Sequence, residues 1–400
     1  MIRLQAFWEK LRTNYWFVPA VMSVVAIALS FVLVGWDRTL RDDMVRELGW
    51  VYSGGPEGAR GVLSTIASSV IGVAGTTFSI TIAVLSLATG QYGPRLLRGF
   101  MRDRGNQIVL GTFTSTFLYC LLVLRTVRGT DADTYVPHLS VTFAVLLAIA
   151  NMGVLIYFVN HVAESIQVSR IIEKVGNEVD ASIERLFPEE IGSPQGGTSL
   201  PAGSSETVRS EESGYVVSVD EESLLRTAAK YDLVLKLVAR PGDHVIFGMP
   251  LVSVWPGAGE HENALRGAYA LSRTRTAFQD AEFALMELAE IGVRALSPGT
   301  NDPFTAIACL DRLAASMCRL AERKRPSAFR RDDEGRLRVV AEPYPYGRLV
   351  AAAFGHIRHA AMGQPAVLER LRITLDLVRS RAEDASLMTA LDAEKEAASV

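Results

Sequence analysis

The chain has 400 residues, of which 49 % are hydrophobic and 21 % are charged, and its formal net charge is −3. The mean hydropathy of +0.19 is high for a water-soluble enzyme and low for a protein embedded entirely in lipid, which predicts one part for each solvent. This composition excludes intrinsic disorder of the whole chain, the three cysteines exclude a disulfide framework, and the slight acidic excess argues against a nucleic-acid partner.

Four uncharged apolar runs predict an α-helical membrane domain. Trp16 and Trp36 bound the first run, as expected for aromatic residues at a membrane interface. A cleaved signal peptide is the competing interpretation, but no small-residue cleavage site follows, so we interpret the run as a retained anchor. No uncharged run of spanning length occurs after residue 161. The predicted spans are residues 16–36, 61–90, 107–124 and 137–160.

Basic residues near the span ends predict that both termini face the cytoplasm. The loop between the second and third spans carries Arg95, Arg98, Arg102 and Arg104, and only Asp103 opposes them. Because cytoplasmic loops carry an excess of Lys and Arg, this loop is assigned to the inside. The low cysteine content agrees with a reducing compartment. We therefore expect a multi-pass protein of the cytoplasmic (inner) membrane.

The fourth predicted span continues into an amphipathic helix. Residues 161–186 place apolar side chains at spacings of mostly three and four, and Pro188 ends the pattern. We expect this helix to extend the membrane domain, residues 1–187, into the cytoplasm. The segment 188–213 is rich in Gly, Ser and Pro, which predicts a flexible linker.

Residues 214–256 carry strand signals and predict a small β-rich, barrel-like subdomain. Val-rich runs alternate there with Gly and Pro at turn positions. The run from Pro241 to Leu251 resembles the strand-joining turn of biotinyl- and lipoyl-type domains, which implies a small β half-barrel. The attachment lysine of those carriers is missing here, so a swinging arm is not expected.

Residues 260–383 predict a helical cytoplasmic subdomain with helical hairpins, and residues 384–400 predict a C-terminal tail. Two of its helices are separated by the turn SPGTNDP, residues 297–303, in which Asp302 is a good N-cap for the second helix. The predicted fold class is thus an α-helical membrane domain with four transmembrane helices, followed by a cytoplasmic α+β domain.

The same turn is a candidate contact for a ligand or another subunit. Arg273, Arg275 and Asp280 lie upstream and add charge to this polar group. The alternative is helix capping together with a structural salt bridge. The candidate residues are Ser297, Asn301, Asp302 and Thr305.

One side of the second span is a stripe of small residues, which recur at spacings of three and four from Ser64 to Gly90. In lipid such stripes bring helices into close contact, which is one interpretation. The other is a pore lining, in which small hydroxyl-bearing side chains leave room for water and ions. The candidates for either role are Ser68, Gly72, Gly75, Thr76 and Ser79.

Polar residues at or within the spans admit further interpretations. Arg95, Arg98 and Arg102 are either a topology anchor or a group that attracts ions or anionic lipid headgroups. Asn151 lies within the fourth span, where we interpret it as a partner in an interhelical hydrogen bond. No carboxylate or histidine lies deep in a predicted span, which argues against a proton-driven transporter.

Common catalytic motifs are absent from the sequence, including G-x-S-x-G, the Walker lysine loop, H-E-x-x-H and G-x-G-x-x-G. His356 and His359 are spaced for a shared metal, but no further ligand lies near them at ligand spacing. We therefore predict no enzyme activity, no cofactor and no metal site.

Residues 75–127 and the run ALSPGTNDPFTAIACLDRL, residues 295–313, resemble a bacterial family of predicted membrane proteins, domain of unknown function 2254. The resemblance covers most of the chain. It implies an N-terminal helical membrane domain with a cytoplasmic C-terminal domain. It implies no activity and assigns no site residue.

The leading hypothesis is a homo-oligomeric ion channel or pore-like conduit in the lipid bilayer, with a cytoplasmic regulatory domain. The hydroxyl-rich second span and the lack of buried charges motivate it. The alternative is a non-conducting membrane sensor or scaffold whose cytoplasmic domain binds a ligand or partner. A membrane-embedded enzyme is a third class, and it has the least support in the sequence.

Overall fold

Apolar helices make up the first part of the molecule, and a mixed helix and sheet region makes up the second. The computed structural model describes residues 16–39, 51–92, 103–130, 133–165, 167–187 and 200–399. The chain divides into two compact units, Met1–Gln167 and Val168–Val400. The first unit contains all four predicted spans.

The helices of the first unit are long and apolar enough to cross a membrane. They are α1 (Phe17–Asp37), α2 (Pro56–Tyr92), α3 (Arg104–Leu124) and α4 (His138–Ser165). A hairpin of strands β1 (Arg128–Thr130) and β2 (Asp133–Tyr135) precedes α4. Each predicted span coincides with one helix to within a few residues, so the prediction of four apolar helices is confirmed.

Two apolar clusters define how α2, α3 and α4 pack. The first joins the early part of α2 to the late part of α3 and the early part of α4, and the second joins later α2 to early α3 and late α4. Therefore α3 runs antiparallel to both α2 and α4. Members include Leu63, Tyr119 and Val141 in the first cluster, and Ala74, Val109 and Phe158 in the second.

The end of α1 is fixed to the beginning of α4 by the buried side chain of Asp37. Its carboxylate accepts hydrogen bonds from the backbone N–H groups of Leu139 at 2.9 Å and Ser140 at 3.0 Å, and from the Ser140 hydroxyl at 2.6 Å. The first N–H groups of a helix have no partner within it, so this carboxylate caps α4 and interacts favourably with its dipole. The Tyr119 hydroxyl donates to the Ser140 carbonyl at 3.0 Å and adds α3 to the same contact.

The predicted continuation of the fourth span is a separate helix. After α4 ends at Ser165, α5 (Val168–Leu186) begins and belongs to the second unit. The prediction of one helix that extends the membrane domain to residue 187 is therefore wrong. The physical reason is that the apolar side of α5 packs on α8 (Ala281–Ala295) and α9 (Pro303–Ala321) of its own unit.

A buried ion pair connects α5 to α9. The Asp180 carboxylate lies 2.7 Å from Arg312 Nη2 and accepts a hydrogen bond from the Ser316 hydroxyl at 2.6 Å. Burial opposes ionisation of this carboxyl, but the hydrogen bonds from Arg312 and Ser316 outweigh it, so the pKa of Asp180 is lowered.

The strands of the second unit form two sheets around one apolar core. They are β3 (Glu206–Arg209), β4 (Gly214–Val219), β5 (Val234–Leu237), β6 (His244–Val245), β7 (Pro250–Trp255), β8 (Tyr269–Ser272), β9 (Phe329–Arg331) and β10 (Leu337–Val340). The five-stranded sheet has the order β3–β7–β5–β10–β9, and the three-stranded sheet has the order β6–β4–β8.

Four strands lie outside the predicted β-rich segment 214–256. Strand β3 falls in the segment predicted as linker, where it pairs with β7, and β8, β9 and β10 fall in the segment predicted as helical. Strand β10 pairs in parallel with β5, so that Val339 lies opposite Leu235. The subdomain boundaries at 213 and 256 are thus corrected, because pairing with distant strands stabilises segments whose local signals are weak.

The remaining α-helices of the second unit are α6 (Glu221–Lys230), α7 (Glu262–Gly267), α10 (Tyr346–Val350), α11 (His356–Ala360), α12 (Pro365–Arg381) and α13 (Ala385–Ala397). The segment predicted as a C-terminal tail is largely the helix α13. Asp384 caps it, and Leu387 and Leu391 are buried, so apolar packing orders this segment.

Candidate functional site

The small-residue stripe lies on the exposed side of α2. This helix has 37 residues, about 55 Å at the usual rise, and exceeds the hydrocarbon thickness of about 30 Å. Its side toward the other helices is formed by a different set of residues. The exposed residues include all five predicted candidates, Ser68, Gly72, Gly75, Thr76 and Ser79, and the buried ones are Ala59, Leu63, Ala67, Val70, Ala74, Thr77, Thr81 and Leu85.

The stripe therefore makes no close helix contact within the part of this chain that the structure describes. A methyl group placed on Gly72 or Gly75 would meet no atom within 4 Å. The space over these glycines is open, so the backbone of α2 is accessible along this line. Bulky exposed residues, Ile71, Phe78 and Ile82, border it.

The hydroxyl groups of the stripe bond to their own helix. Ser68 Oγ donates to the Ser64 carbonyl at 2.7 Å, and Ser79 Oγ donates to the Gly75 carbonyl at 2.9 Å. Thr76 Oγ1 donates to the carbonyl four residues earlier at 3.1 Å. Because the hydroxyl protons are engaged, the stripe presents oxygen lone pairs, which are acceptors, toward its exposed side.

The basic candidates Arg95, Arg98 and Arg102 lie outside the described residues. The neighbouring Asp103 caps α3, and its carboxylate lies 3.1 Å from His161 Nε2 near the end of α4. This ionisable pair thus joins the beginning of α3 to the end of α4.

The SPGTNDP turn brings its four predicted residues together. The Asp302 carboxylate accepts hydrogen bonds from the Thr305 N–H at 3.1 Å and from the Thr305 hydroxyl at 2.6 Å, and the hydroxyl bond lowers the pKa of Asp302. The Asn301 N–H donates to the Ser297 carbonyl at 2.9 Å, and Gln364 Nε2 donates to Asn301 Oδ1 at 2.9 Å. These polar groups bond to one another, as expected of the N-cap of α9.

Arg275 and Asp280, two charged residues upstream of the SPGTNDP turn, lie away from it in the structure. Asp280 caps the start of α8, whereas the turn follows the end of this 15-residue helix, about 22 Å away along its axis. The buried Asp280 carboxylate lies 2.6 Å from Arg275 Nε, and Glu282 lies 2.7 Å from Arg348. A methyl group on Gly242 would overlap the Asp280 carboxylate, so the Pro-Gly-Asp turn packs against this ionic cluster. The sequence predicted neither the cluster nor its distance from the turn.

No group of three or more His, Cys, Asp or Glu side chains is arranged to hold a metal ion among the residues described. His359 Nδ1 lies 2.7 Å from the Gly355 carbonyl of its own helical segment.

Comparison with known proteins identifies the family. The family model described as "Predicted membrane protein (DUF2254)" matches residues 12–376. The chain belongs to this family. Uncharacterized proteins of Mycobacterium bovis and Mycobacterium tuberculosis are each 32 % identical to it over 405 residues, which cover 97 % of this chain and 76 % of the relative. No solved structure matches the chain. The resemblance predicted from residues 75–127 and 295–313 is confirmed.

Within this DUF2254 chain, Asn151 joins two membrane helices as the sequence predicted. Its Nδ2 donates to Thr116 Oγ1 of α3 at 2.8 Å and to the Leu147 carbonyl of α4 at 2.7 Å. Sequence reasoning missed a second buried amide, Asn106 on the first turn of α3. Asn106 is 2 % exposed, and neither its Oδ1 nor its Nδ2 has a hydrogen-bond partner in the described part of the chain. The sequence signal that could have revealed it is an amide residue directly before the apolar run of the third predicted span.

Proposed function

We propose that this DUF2254 protein forms a homo-oligomer in the cytoplasmic membrane, in which the α2 helices of several copies line a conduit for small ions. The observation that carries the proposal is the exposed stripe on α2, a helix that is long and apolar enough to span a bilayer. In this proposal both termini and the second unit, with its barrel-like sheets, face the cytoplasm, where the second unit regulates conduction. The proposal includes no catalytic reaction.

The chemistry of the stripe favours a protein neighbour over acyl chains. Without a hydrophobic driving force between helices in lipid, small residues promote association because they let backbones approach closely. The open space at Gly72 and Gly75 permits such an approach. The exposed side of α1 carries bulky apolar residues instead, such as Val24, Phe31 and Val32, which suit contact with lipid.

The oxygen atoms of the stripe favour a conduit over a sealed contact. The exposed oxygens of Ser68, Thr76 and Ser79 accept hydrogen bonds or coordinate a partly dehydrated cation. Several copies of α2 around an axis would place these oxygens in rings. In the same proposal, Arg95, Arg98 and Arg102 bind anionic lipid headgroups and influence ion entry at the cytoplasmic end.

The oligomer is tested by cross-linking in membranes. In a cysteine-free background, Ser79→Cys on the stripe should form cross-linked dimers, because the proposal places this position at the contact between copies. Val32→Cys on the exposed side of α1 is the matched control, since it is also exposed but should face lipid. Equal cross-linking of both variants, or cross-linking of the control alone, would contradict the proposed contact.

Conduction is tested separately, by ion flux through proteoliposomes that contain the full chain. A positively charged thiol reagent on Ser79→Cys should reduce cation flux, and the same reagent on Val32→Cys should leave the flux unchanged. A protein that cross-links through Ser79→Cys but passes no ions under voltage, tension or pH steps would refute the conduit while retaining the oligomer.

The second candidate function is a non-conducting membrane sensor or scaffold. Phe304, next to the SPGTNDP turn, is 81 % exposed, and exposed apolar side chains are common at partner contacts. A surface concavity of about 320 Å³ in the second unit, lined by residues that include Asn263, Arg266 and Tyr269, offers a place for a ligand. Loss of a bound partner in Phe304→Ser, together with no flux, would favour this function.

A further inference from the structure

Buried polar side chains of α2 and α3 fall at one level of the bundle and form a polar layer on the side of α2 opposite the stripe. Ala74 and Val109 belong to the same apolar cluster, and the two helices are antiparallel. Thr77 lies one turn beyond Ala74, and Asn106 lies one turn before Val109, so both lie at the next level of the bundle. Thr77 is 4 % exposed and Asn106 is 2 % exposed. Thr81, which is also buried, follows one turn later on α2.

The layer lies close to the end of the bundle at which Asp103 and His161 meet. Gly105 connects the two sites, and a methyl group there would come within 2.7 Å of His161 Nε2. The ionisable pair is partly exposed, with 21 % and 22 % of the two side chains accessible. Polar groups therefore continue from an accessible position into the interior.

Asn106 is the unusual member of this layer, because its amide oxygen and its amide nitrogen both lack partners among the described residues. Burial of an unpaired amide is costly, because no hydrogen bond replaces the ones that the amide made with bulk water. Exchanging the oxygen and nitrogen positions of the amide does not help, because both ends are unpaired. A bound molecule that is not part of the chain would give both ends of the Asn106 amide a hydrogen-bond partner.

We propose that Asn106 binds internal water within the membrane helices. A cation would coordinate Oδ1 but would be repelled by the Nδ2 hydrogens, whereas water accepts from Nδ2 and donates to Oδ1. Thr77 Oγ1 donates to the Val73 carbonyl at 2.6 Å, and Thr81 Oγ1 donates to the Thr77 carbonyl at 2.8 Å. Their oxygen lone pairs are thus acceptors for the same water, which needs two to four polar partners. This site is internal to one chain and does not depend on the proposed oligomer.

Water-edited solid-state NMR of the full chain in lipid bilayers tests the assignment. The chain has only 7 asparagines, so ¹⁵N-asparagine labelling gives few side-chain signals, and loss of one signal in Asn106→Leu assigns Asn106 Nδ2. Magnetisation from water should reach Asn106 within about threefold of the rate for the exposed Asn263 of the second unit, despite the burial of Asn106. A slower transfer would overturn the proposal.

Two threonines of the same helix provide the matched variants. Thr77→Val removes a buried oxygen of the layer and should slow the transfer to Asn106, whereas Thr65→Val on the exposed side of α2 should not. Equal transfer rates in both variants would overturn the placement of the water in this layer. Movement of the Asn106 signal when sodium is replaced by a large organic cation would also overturn it, in favour of a bound cation.

Discussion

Substitution of Asp180 by asparagine should loosen α5 from the second unit. The carboxylate is 11 % exposed and the Arg312 side chain is 18 % exposed, so the pair lies mostly away from water. Removal of one partner from a fully buried pair costs about 3–5 kcal/mol. Because Arg312 retains some access to solvent and asparagine keeps a polar group for Ser316, we expect a loss of about 2 kcal/mol, which is a change of roughly thirtyfold in the opening equilibrium.

Hydrogen exchange of the full chain, read by mass spectrometry, measures this opening directly. Amides of residues 168–186 should lose about thirtyfold in protection in Asp180→Asn. Glu184→Gln on the same helix is the control, because Glu184 is 58 % exposed and lies 4.0 Å from Arg323, a geometry worth less than about 1 kcal/mol. Unchanged protection in Asp180→Asn, or an equal loss in both variants, would refute the reasoning.

The same pair has a defined pH dependence. The pKa of Asp180 is lower in the folded chain than in an unfolded one, so its contribution is complete above the ordinary carboxyl pKa of about 4 and is lost as the pH falls through the lowered value. The stability difference between the native protein and Asp180→Asn should therefore shrink on acidification. A difference that grows at low pH would contradict this assignment.

Three further predictions follow from the local geometry. Asp302→Ala removes the N-cap of α9 and should lower the free energy of unfolding by about 1 kcal/mol in a denaturant titration, and an unchanged midpoint would contradict a capping role. Asn151→Leu removes the hydrogen bond to Thr116 and should destabilise the α3–α4 contact by about 0.6 kcal/mol, measured by unfolding in mixed micelles. Gly176→Ala introduces a methyl group that would overlap Arg312, so hydrogen exchange of α5 should accelerate as in Asp180→Asn, and normal exchange would show that Arg312 moves freely.

The sequence predicts the membrane helices well because length and hydropathy suffice to define a span. It does not predict which side of such a helix is buried. Both sides of α2 lack charge between Gly61 and Gly90, so no pattern of charged residues marks the outside. Only the packing of Ala67 and Ala74 against neighbouring helices places the small-residue stripe on the exposed side.

The second unit is harder to predict because its sheet joins strands far apart in sequence. Strand β10 contains Arg338, which interrupts the apolar pattern that marks a buried strand. In the folded chain this arginine is 3 % exposed and its Nε lies 2.7 Å from the Asp332 carboxylate. A partner six residues away thus permits a charge where the sequence pattern alone indicates a surface segment.

Asp37 has a consequence for how the first unit can move. Its carboxylate holds α1 and α4 together at one end, and the Tyr119 hydroxyl adds α3 to the same hydrogen-bond network. At the opposite end, α3 and α4 are linked through the partly exposed Asp103 and His161. Because the Asp37 contact is buried and the Asp103–His161 pair is partly exposed, we expect a rearrangement that separates these helices to begin where Asp103 meets His161.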